Sequence, residues 1–306
     1  MRHRNALFAA AVLSTCICLL LTIGGGGNGA KLIKGAQSST HMNPAGNPSR
    51  RDASGTKNAS LKAQARASNI IKILHQSWKT RQLPARAVRW SASWKSCFPD
   101  WEWRLWTDQD NLALVRDHYA WFLPVYNGQR YNIERADLAR YFYLYHFGGI
   151  YTDLDTVCMK NFEHLLHLET LVFGAMDTHP GDSVLPGQLV QNSFMASLRP
   201  GHPFWMRLLR RIERNFNAGK RGRPEDNTGP TVLMEELRLY VRSNASDVKV
   251  YPGKYFNPFS WTLRNSKICK DFGQMSDSVE KICINSFPKA FVVQLHTQSW
   301  GRGRMR

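Results

Sequence analysis

Two aspartates two positions apart, Asp153 and Asp155, stand near the end of the stretch YNIERADLARYFYLYHFGGIYTDLDTVCMKNFEHLL, residues 131–166. On an extended segment side chains alternate faces, so carboxylates at i and i+2 point the same way and can share one cation. Left unpaired, they repel and one tends to hold its proton. A divalent ion removes that cost and turns the pair into a socket for a diphosphate. A second pair, Asp108 and Asp110 in LWTDQDNLALV, follows the strand-like WEWRLW and precedes an apolar helical run. It reads as a helix start at which one aspartate caps. About one Asp-x-Asp pair is expected by chance in such a chain, so the surroundings must distinguish the two.

The elements that would position Asp153 and Asp155 are clear. In 133–147 the apolar residues Ile133, Ala136, Leu138, Ala139, Phe142 and Leu144 fall at helical spacing, with Glu134, Asp137 and Arg140 on another side. Gly148 and Gly149 allow the helix to end in a sharp turn, and Ile150-Tyr151-Thr152 is a β-prone interior strand. Two readings fit Asp137 and Arg140. The guanidinium offers planar donors to phosphate and the carboxylate accepts from sugar hydroxyls, or the two form a surface i,i+3 pair of little worth.

The ordered series HQSWKT (75–80), WRLWTD (103–108), ERADLARYFYLYHFGGIYTDLD (134–155), NSFMAS (192–197), TGP (228–230) and HTQSW (296–300) resembles the glycosyltransferases with a DXD sugar-binding motif, family 32. That family includes the inositol phosphoceramide mannosyltransferases and the initiating α-1,6-mannosyltransferases of the fungal Golgi. Around R-x-D-x-x-R and DxD the chain is also similar to the glucosylating bacterial toxins and to α-1,4-galactosyl- and N-acetylglucosaminyltransferases. The resemblance runs from about Ile70 to Trp300. It implies an α/β, GT-A-like nucleotide-sugar-binding fold with a mixed, mostly parallel central sheet. It further implies Mn²⁺ (or Mg²⁺) on catalytic Asp153 and Asp155, and a donor site drawn from His75, Gln76, Trp106, Asp137, Arg140, Asn192, Gly229 and Trp300. Retention of configuration and GDP-mannose as donor follow from the same likeness.

Position along the chain adds to several of these assignments. Residues 70–78, IIKILHQSW, read as the first strand, and the loop after a first strand often meets the nucleotide in such folds. His75, Gln76 and Trp78 are candidates there, although His75 and Trp78 could equally just pack. A helix over 85–96 and a strand over 101–106 make a βαβ rhythm that implies parallel pairing. Further expectations are a helical 161–166, a strand over 171–175, a mobile loop over 177–188, and a strand beginning near Gln191. A basic helix (204–217), a solvated run (220–223), a helix after TGP (231–241) and a strand over 248–251 follow. Amide N–H groups at the start of the TGP helix could receive a sugar hydroxyl or phosphate, and Tyr255-Phe256-Asn257-Pro258 could stack on a sugar or simply pack. A last strand over 291–295 delivers His296, a third metal ligand or a polar core residue.

The 306 residues fit one catalytic domain, 70–306, with appendages. Residues 6–23 are an uncharged apolar run of 18 residues behind Arg2 and Arg4, long enough for a transmembrane signal anchor with a cytoplasmic tail at 1–5. A cleaved signal peptide is the alternative. Residues 24–69 read as a flexible lumenal stem, poor in aromatics. Of the +18 formal charge, roughly half lies in residues 1–69, so the basicity does not point to nucleic acid. Asn58 and Asn244 begin glycosylation sequons. Cys97, Cys158, Cys269 and Cys283 form no zinc spacing; Cys269 and Cys283 could close a disulfide loop, and Cys158 reads as buried and free. The resulting expectation is a Golgi, single-pass type II hexosyltransferase, with GDP-mannose as donor and a glycolipid or glycoprotein acceptor. A UDP-sugar transferase and a catalytically silent carbohydrate-binding relative are the alternatives.

Overall fold

The computed structural model describes residues 70–166, 171–176, 190–258 and 276–297. The tail, anchor and stem expected over 1–69, the loop 177–188, Cys269 and Trp300 lie outside these residues. No described helix is long and apolar enough to cross a membrane.

The chain opens with β1 (Ile73–Ser77), α1 (Ala85–Cys97) and β2 (Glu102–Trp106). The helices α2 (Asp108–His118), α3 (Leu123–Asn127) and α4 (Asn132–His146) lead to β3 (Gly149–Thr152), and β4 (Thr156–Cys158), β5 (Leu171–Ala175) and β6 (Val190–Ser197) follow. The remainder is α5 (Pro203–Asn217), α6 (Pro224–Asn227), α7 (Pro230–Asn244), β7 (Val248–Tyr251), α8 (Gly253–Phe256), α9 (Asp277–Asn285) and β8 (Val292–Gln294).

Six strands form one sheet in the order β2-β1-β3-β6-β5-β7. Pairings β1/β2, β1/β3 and β5/β7 are parallel; β3/β6 and β5/β6 are antiparallel, so the sheet is mixed as expected. β3 is interior and buried along its whole length. The last strand does not extend this sheet: β8 pairs antiparallel with β4 in a separate two-stranded sheet. Nothing in the apolar pattern of 291–295 could distinguish those two sites of pairing, because both bury it.

α4 departs from the amphipathic expectation. Leu138, Ala139, Tyr141, Phe142, Tyr143 and Leu144 are all fully buried, and so, within a few per cent, are Glu134, Asp137 and Arg140. The polar side of the helix is turned inward rather than to solvent, and each apolar ring or branched chain so buried contributes roughly 2 kcal/mol. At the helix end Gly148 (φ 72°) and Gly149 (φ 95°) make the turn into β3. A Cβ on Gly149 would stand 2.3 Å from the Ile73 carbonyl oxygen, which is how closely β3 is laid against β1.

Asp108 and Asp110 do start a helix, but the cap is Thr107. Its hydroxyl accepts from the Asp110 amide at 3.1 Å, while the Asp110 carboxylate accepts from the Thr107 amide at 2.8 Å. This is a capping box, with Asp110 also paired to Arg81 at 2.8 Å. The expected helix over 161–166 is a single 3-10 turn, Glu163–Leu165. Residues 220–223 are exposed, as a solvated loop should be. Cys158 is not free: it is disulfide-bonded to Cys97, fastening the end of α1 to β4. Cys283 is disulfide-bonded as well.

Candidate active site

Asp153 keeps the β-ladder for one residue past β3, its amide donating to the Ser193 carbonyl at 2.9 Å. The chain then turns. Thr156 Oγ1 donates to the Asp153 carbonyl at 2.6 Å, and Asp155 lies in that turn rather than on a strand. The strand alternation that motivated the pair is therefore not what holds it together; a tight turn is. Being close, the two carboxylates repel. Burial, and then the charge of Asp153, push the Asp155 carboxyl above its ordinary value.

Arg140 is the cation at the centre. Its Nη1 lies 3.0 Å from Asp153 Oδ1 and its Nη2 lies 3.2 Å from Asp137 Oδ1. Nη1 also donates to the Asn192 carbonyl at 2.8 Å, and the guanidinium carbon sits 4.6 Å from the centre of the Tyr151 ring. Asp137 and Arg140 are each 4% exposed, so the surface-pair reading is excluded. Asp137 accepts from Asn192 Nδ2 at 2.9 Å and from Thr228 Oγ1 at 3.0 Å. Burial nevertheless pushes its pKa up to about 6 against the opposing pull of Arg140 and these hydrogen bonds.

Gln76 reaches the same place. It is buried beside the pair, its Nε2 donating to the Asp153 carbonyl at 3.4 Å and its Oε1 accepting from Trp103 Nε1 at 2.9 Å. His75 and Trp106 do not. Trp106 Nε1 donates to His75 Nδ1 at 3.0 Å, so the proton must sit on Nε2, which donates to the Gly148 carbonyl at 2.8 Å. Both ring nitrogens are thus used inside the fold, and burial holds the His75 pKa down at about 3. Side-chain alternation along β1 explains the split, since His75 and Gln76 face opposite sides of the sheet.

Gly229 differs from expectation in a similar way. Its amide donates to the Pro224 carbonyl at 3.0 Å and is not open to a ligand, whereas its neighbour Thr228 reaches Asp137. Phe256 is fully buried and stacks on Phe194 at 4.5 Å between ring centres, which answers the packing reading of that aromatic stretch. His296 Nε2 lies 3.1 Å from Asn257 Oδ1. Among the described residues no group of three His, Cys, Asp or Glu side chains is arranged to hold a metal ion, yet His296 lies close enough to Asp155 to favour the charged form of its carboxyl.

Three residues of this cluster escaped sequence reasoning. Tyr151 donates its hydroxyl to Asp153 Oδ1 at 2.7 Å. Its i−2 position on the same strand was a usable signal. Thr228 belongs to the TGP motif, in which sequence alone points to Gly229. Thr297 donates to Asp155 Oδ2 through both its amide, at 2.9 Å, and its hydroxyl, at 2.8 Å. No local pattern could find a contact across 142 positions.

The donor set fits a hard divalent cation. Tyr151 and Arg140 occupy one oxygen of Asp153 and Thr297 occupies one oxygen of Asp155, leaving Asp153 Oδ2 and Asp155 Oδ1 without a hydrogen-bond partner among the described residues. Two carboxylate oxygens are a fitting part of a shell that diphosphate and water complete. Two open surface cavities, about 680 and 510 Å³, lie along Arg207, Arg210, Arg211 and Arg214 and beside Trp103 and Arg104, and neither is lined by Asp153 or Asp155.

Residues 84–172 match the family described as "Glycosyltransferase sugar-binding region containing DXD motif". Inositol phosphoceramide mannosyltransferase 3 of Schizosaccharomyces pombe is 40% identical over 148 residues, 47% of this chain and 38% of that protein. Inositol phosphoceramide mannosyltransferase 1 of the same organism is 31% identical, covering 62% of this chain and 58% of that protein. Mannosyl phosphorylinositol ceramide synthase CSH1 of Saccharomyces cerevisiae is 34% identical, covering 47% of this chain and 35% of that protein. The matched stretches thus span between about a third and three fifths of these relatives. Residues 84–172 thus match the model of a glycosyltransferase sugar-binding region containing a DXD motif, in a chain similar to the inositol phosphoceramide mannosyltransferases.

Proposed function

We propose that this chain is a metal-dependent hexosyltransferase that moves mannose from GDP-mannose, with retention, onto a glycolipid of the inositol phosphoceramide type or onto a glycoprotein glycan. The architecture we assign is GT-A-like. The observation that carries the reading is a charge imbalance: of Asp137, Asp153 and Asp155, only the first two pair with the one guanidinium, Arg140, and two carboxylate oxygens are left without donors. A half-buried cluster with that much negative charge is suited to receive a cation. Mannosyl transfer is favoured because the relatives named above are mannosyltransferases.

In this mechanism Asp153 and Asp155 would hold Mn²⁺ or Mg²⁺ with their two unpaired oxygens. When bound, the ion supplies neutralisation of the donor diphosphate and Lewis-acid assistance to departure of the nucleoside diphosphate. Arg140 and Tyr151 fix Asp153 by its Oδ1, which leaves Oδ2 toward the ligand. Asp137, buried with both oxygens engaged, would hold Asn192 in place, and Asn192, which is only partly buried, would offer the sugar its amide oxygen. Gln76 steadies the Asp153 backbone from the β1 side.

We also assign a Golgi, single-pass type II placement with the catalytic domain lumenal. The apolar run at 6–23 behind two arginines supports it, as does the Cys97–Cys158 disulfide, since such bonds persist in oxidising compartments. The test is a donor screen on the full chain in detergent, with GDP-mannose and UDP-sugars against inositol phosphoceramide and a mannosylated glycan. Mannose transfer that stops with a chelator and returns with Mn²⁺ is expected. Transfer from UDP-sugars alone would overturn the donor assignment, and transfer unaffected by chelation would overturn the metal.

A further inference from the structure

We infer that Thr297 is the positioning residue for Asp155, selecting which carboxylate oxygen faces the cation; this rests on the metal-dependent reading above. The ladder between β4 and β8 ends at Thr156 opposite Gln294, and one further bond follows it, from the Leu295 amide to the Asp155 carbonyl at 2.8 Å. A chain continuing straight would carry residue 297 away from Asp155. It bends instead at His296, whose φ of 46° makes it the one non-glycine residue in the left-handed region among the described residues. A non-glycine residue there is costly and persists only when its surroundings over-determine it. Here Asn257, itself 1% exposed, lies against the His296 ring at 3.1 Å.

The bend returns Thr297 to the site, and both of its donors fall on the same atom. The amide is 2.9 Å and the hydroxyl 2.8 Å from Asp155 Oδ2. A carboxylate held at one oxygen by two donors cannot rotate freely about its Cβ–Cγ bond, so Oδ1 is presented in a fixed direction. Asp153 is held at one oxygen in the same way by Tyr151 and Arg140. The two carboxylates are therefore each clamped from behind. Arg140, however, reaches Asp153 from the helix before it, whereas Asp155 depends on a segment from the far end of the chain.

The experiment compares wild type, Thr297→Val, Thr297→Ser and Asp155→Asn as full chains in detergent. Bound Mn²⁺ is measured in the presence of GDP from the electron paramagnetic resonance signal of the unbound ion. Thr297→Val keeps the amide and the shape but loses the hydroxyl, and is expected to bind Mn²⁺ about 10-fold more weakly, the loss of one hydrogen bond to a charged group. Thr297→Ser should stay within about twofold of wild type, and both variants should still unfold cooperatively in metal-free buffer, Thr297→Val at a somewhat lower temperature, so that weaker Mn²⁺ binding is not a loss of fold. Wild-type Mn²⁺ affinity in Thr297→Val, or an equal loss in Thr297→Ser, would overturn the positioning role. If wild type binds Mn²⁺ no better than Asp155→Asn, the metal reading itself falls and takes this inference with it.

Discussion

Arg140 Nη1 stands 3.0 Å from Asp153 Oδ1, and the same guanidinium reaches Asp137 at 3.2 Å through its other terminal nitrogen. One buried cation thus joins the helix before the glycine turn to the end of the strand after it. Arg140→Ala would leave the buried Asp137 and the half-buried Asp153 without a cationic partner, and removing one side of a fully buried pair costs about 3–5 kcal/mol. The expected result is a matching fall in chemical-denaturation stability and loss of transfer. Arg140→Lys should recover part of the stability but little activity, because one ammonium cannot span both carboxylates.

Asp155→Asn should separate folding from function. Neutralising a carboxylate that burial and Asp153 both disfavour as an anion should leave metal-free thermal stability equal or higher. Transfer should fall at least about 100-fold, in line with loss of a group acting on transition-state charge. Adding Mn²⁺ should raise the melting temperature of wild type and not of the variant. A variant that is both active and stabilised by Mn²⁺ would contradict the assignment.

His75 and Asp137 should give pH dependences of opposite sign. His75 titrates at about 3 when folded and near 6.5 when unfolded, so its contribution is full above pH 6.5 and is lost as pH falls toward 3. Asp137 titrates at about 6 when folded against 3.8 unfolded, so its contribution is full below 3.8 and is lost as pH rises through 6. Each unit of pH inside a window is worth about 1.4 kcal/mol. In metal-free urea unfolding, wild type minus Asp137→Asn should therefore grow by about 2 kcal/mol between pH 6 and 4.5. Wild type minus His75→Gln should shrink by about 2 kcal/mol between pH 6.5 and 4.5. Differences that move together would refute one of the two assignments.

Gly149→Ala should be among the most damaging small substitutions in the chain. The new Cβ would meet the Ile73 carbonyl oxygen at 2.3 Å and the backbone would be held at φ 95°, so a loss above about 2 kcal/mol is expected from melting or urea curves. At Gly148 the nearest atom is 3.0 Å away and φ is 72°, a gentler clash that should cost less.

Making the paired Cys97→Ser and Cys158→Ser changes releases a link spanning 61 positions and leaves the bridge at Cys283 in place. The chain-entropy account puts the loss at about 4 kcal/mol. Because β4 follows the aspartate turn directly, the same change should also weaken Mn²⁺ binding, which titration of the double variant would measure.

Local pattern was enough for the elements that carry the site. The helical spacing before Gly148, the β-prone Ile150-Tyr151-Thr152 and the strand over 171–175 are short-range signals, and the structure has each of them within a residue or two. The same pattern separated the Asp108/Asp110 pair, a helix start, from Asp153/Asp155.

By itself, then, the sequence determined where the backbone bends and which residue types arrive at the end of β3, because periodicity, glycine and proline act over a few positions. Only the tertiary structure decided the partners. It drew Asp137 and Arg140 inward against Asn192, spent both nitrogens of His75 in the core, bridged Cys97 to Cys158, and brought Thr297 across 142 positions onto Asp155. Those contacts join segments remote in sequence, where whether a side chain is bonded or available depends on what the other strands and helices place beside it.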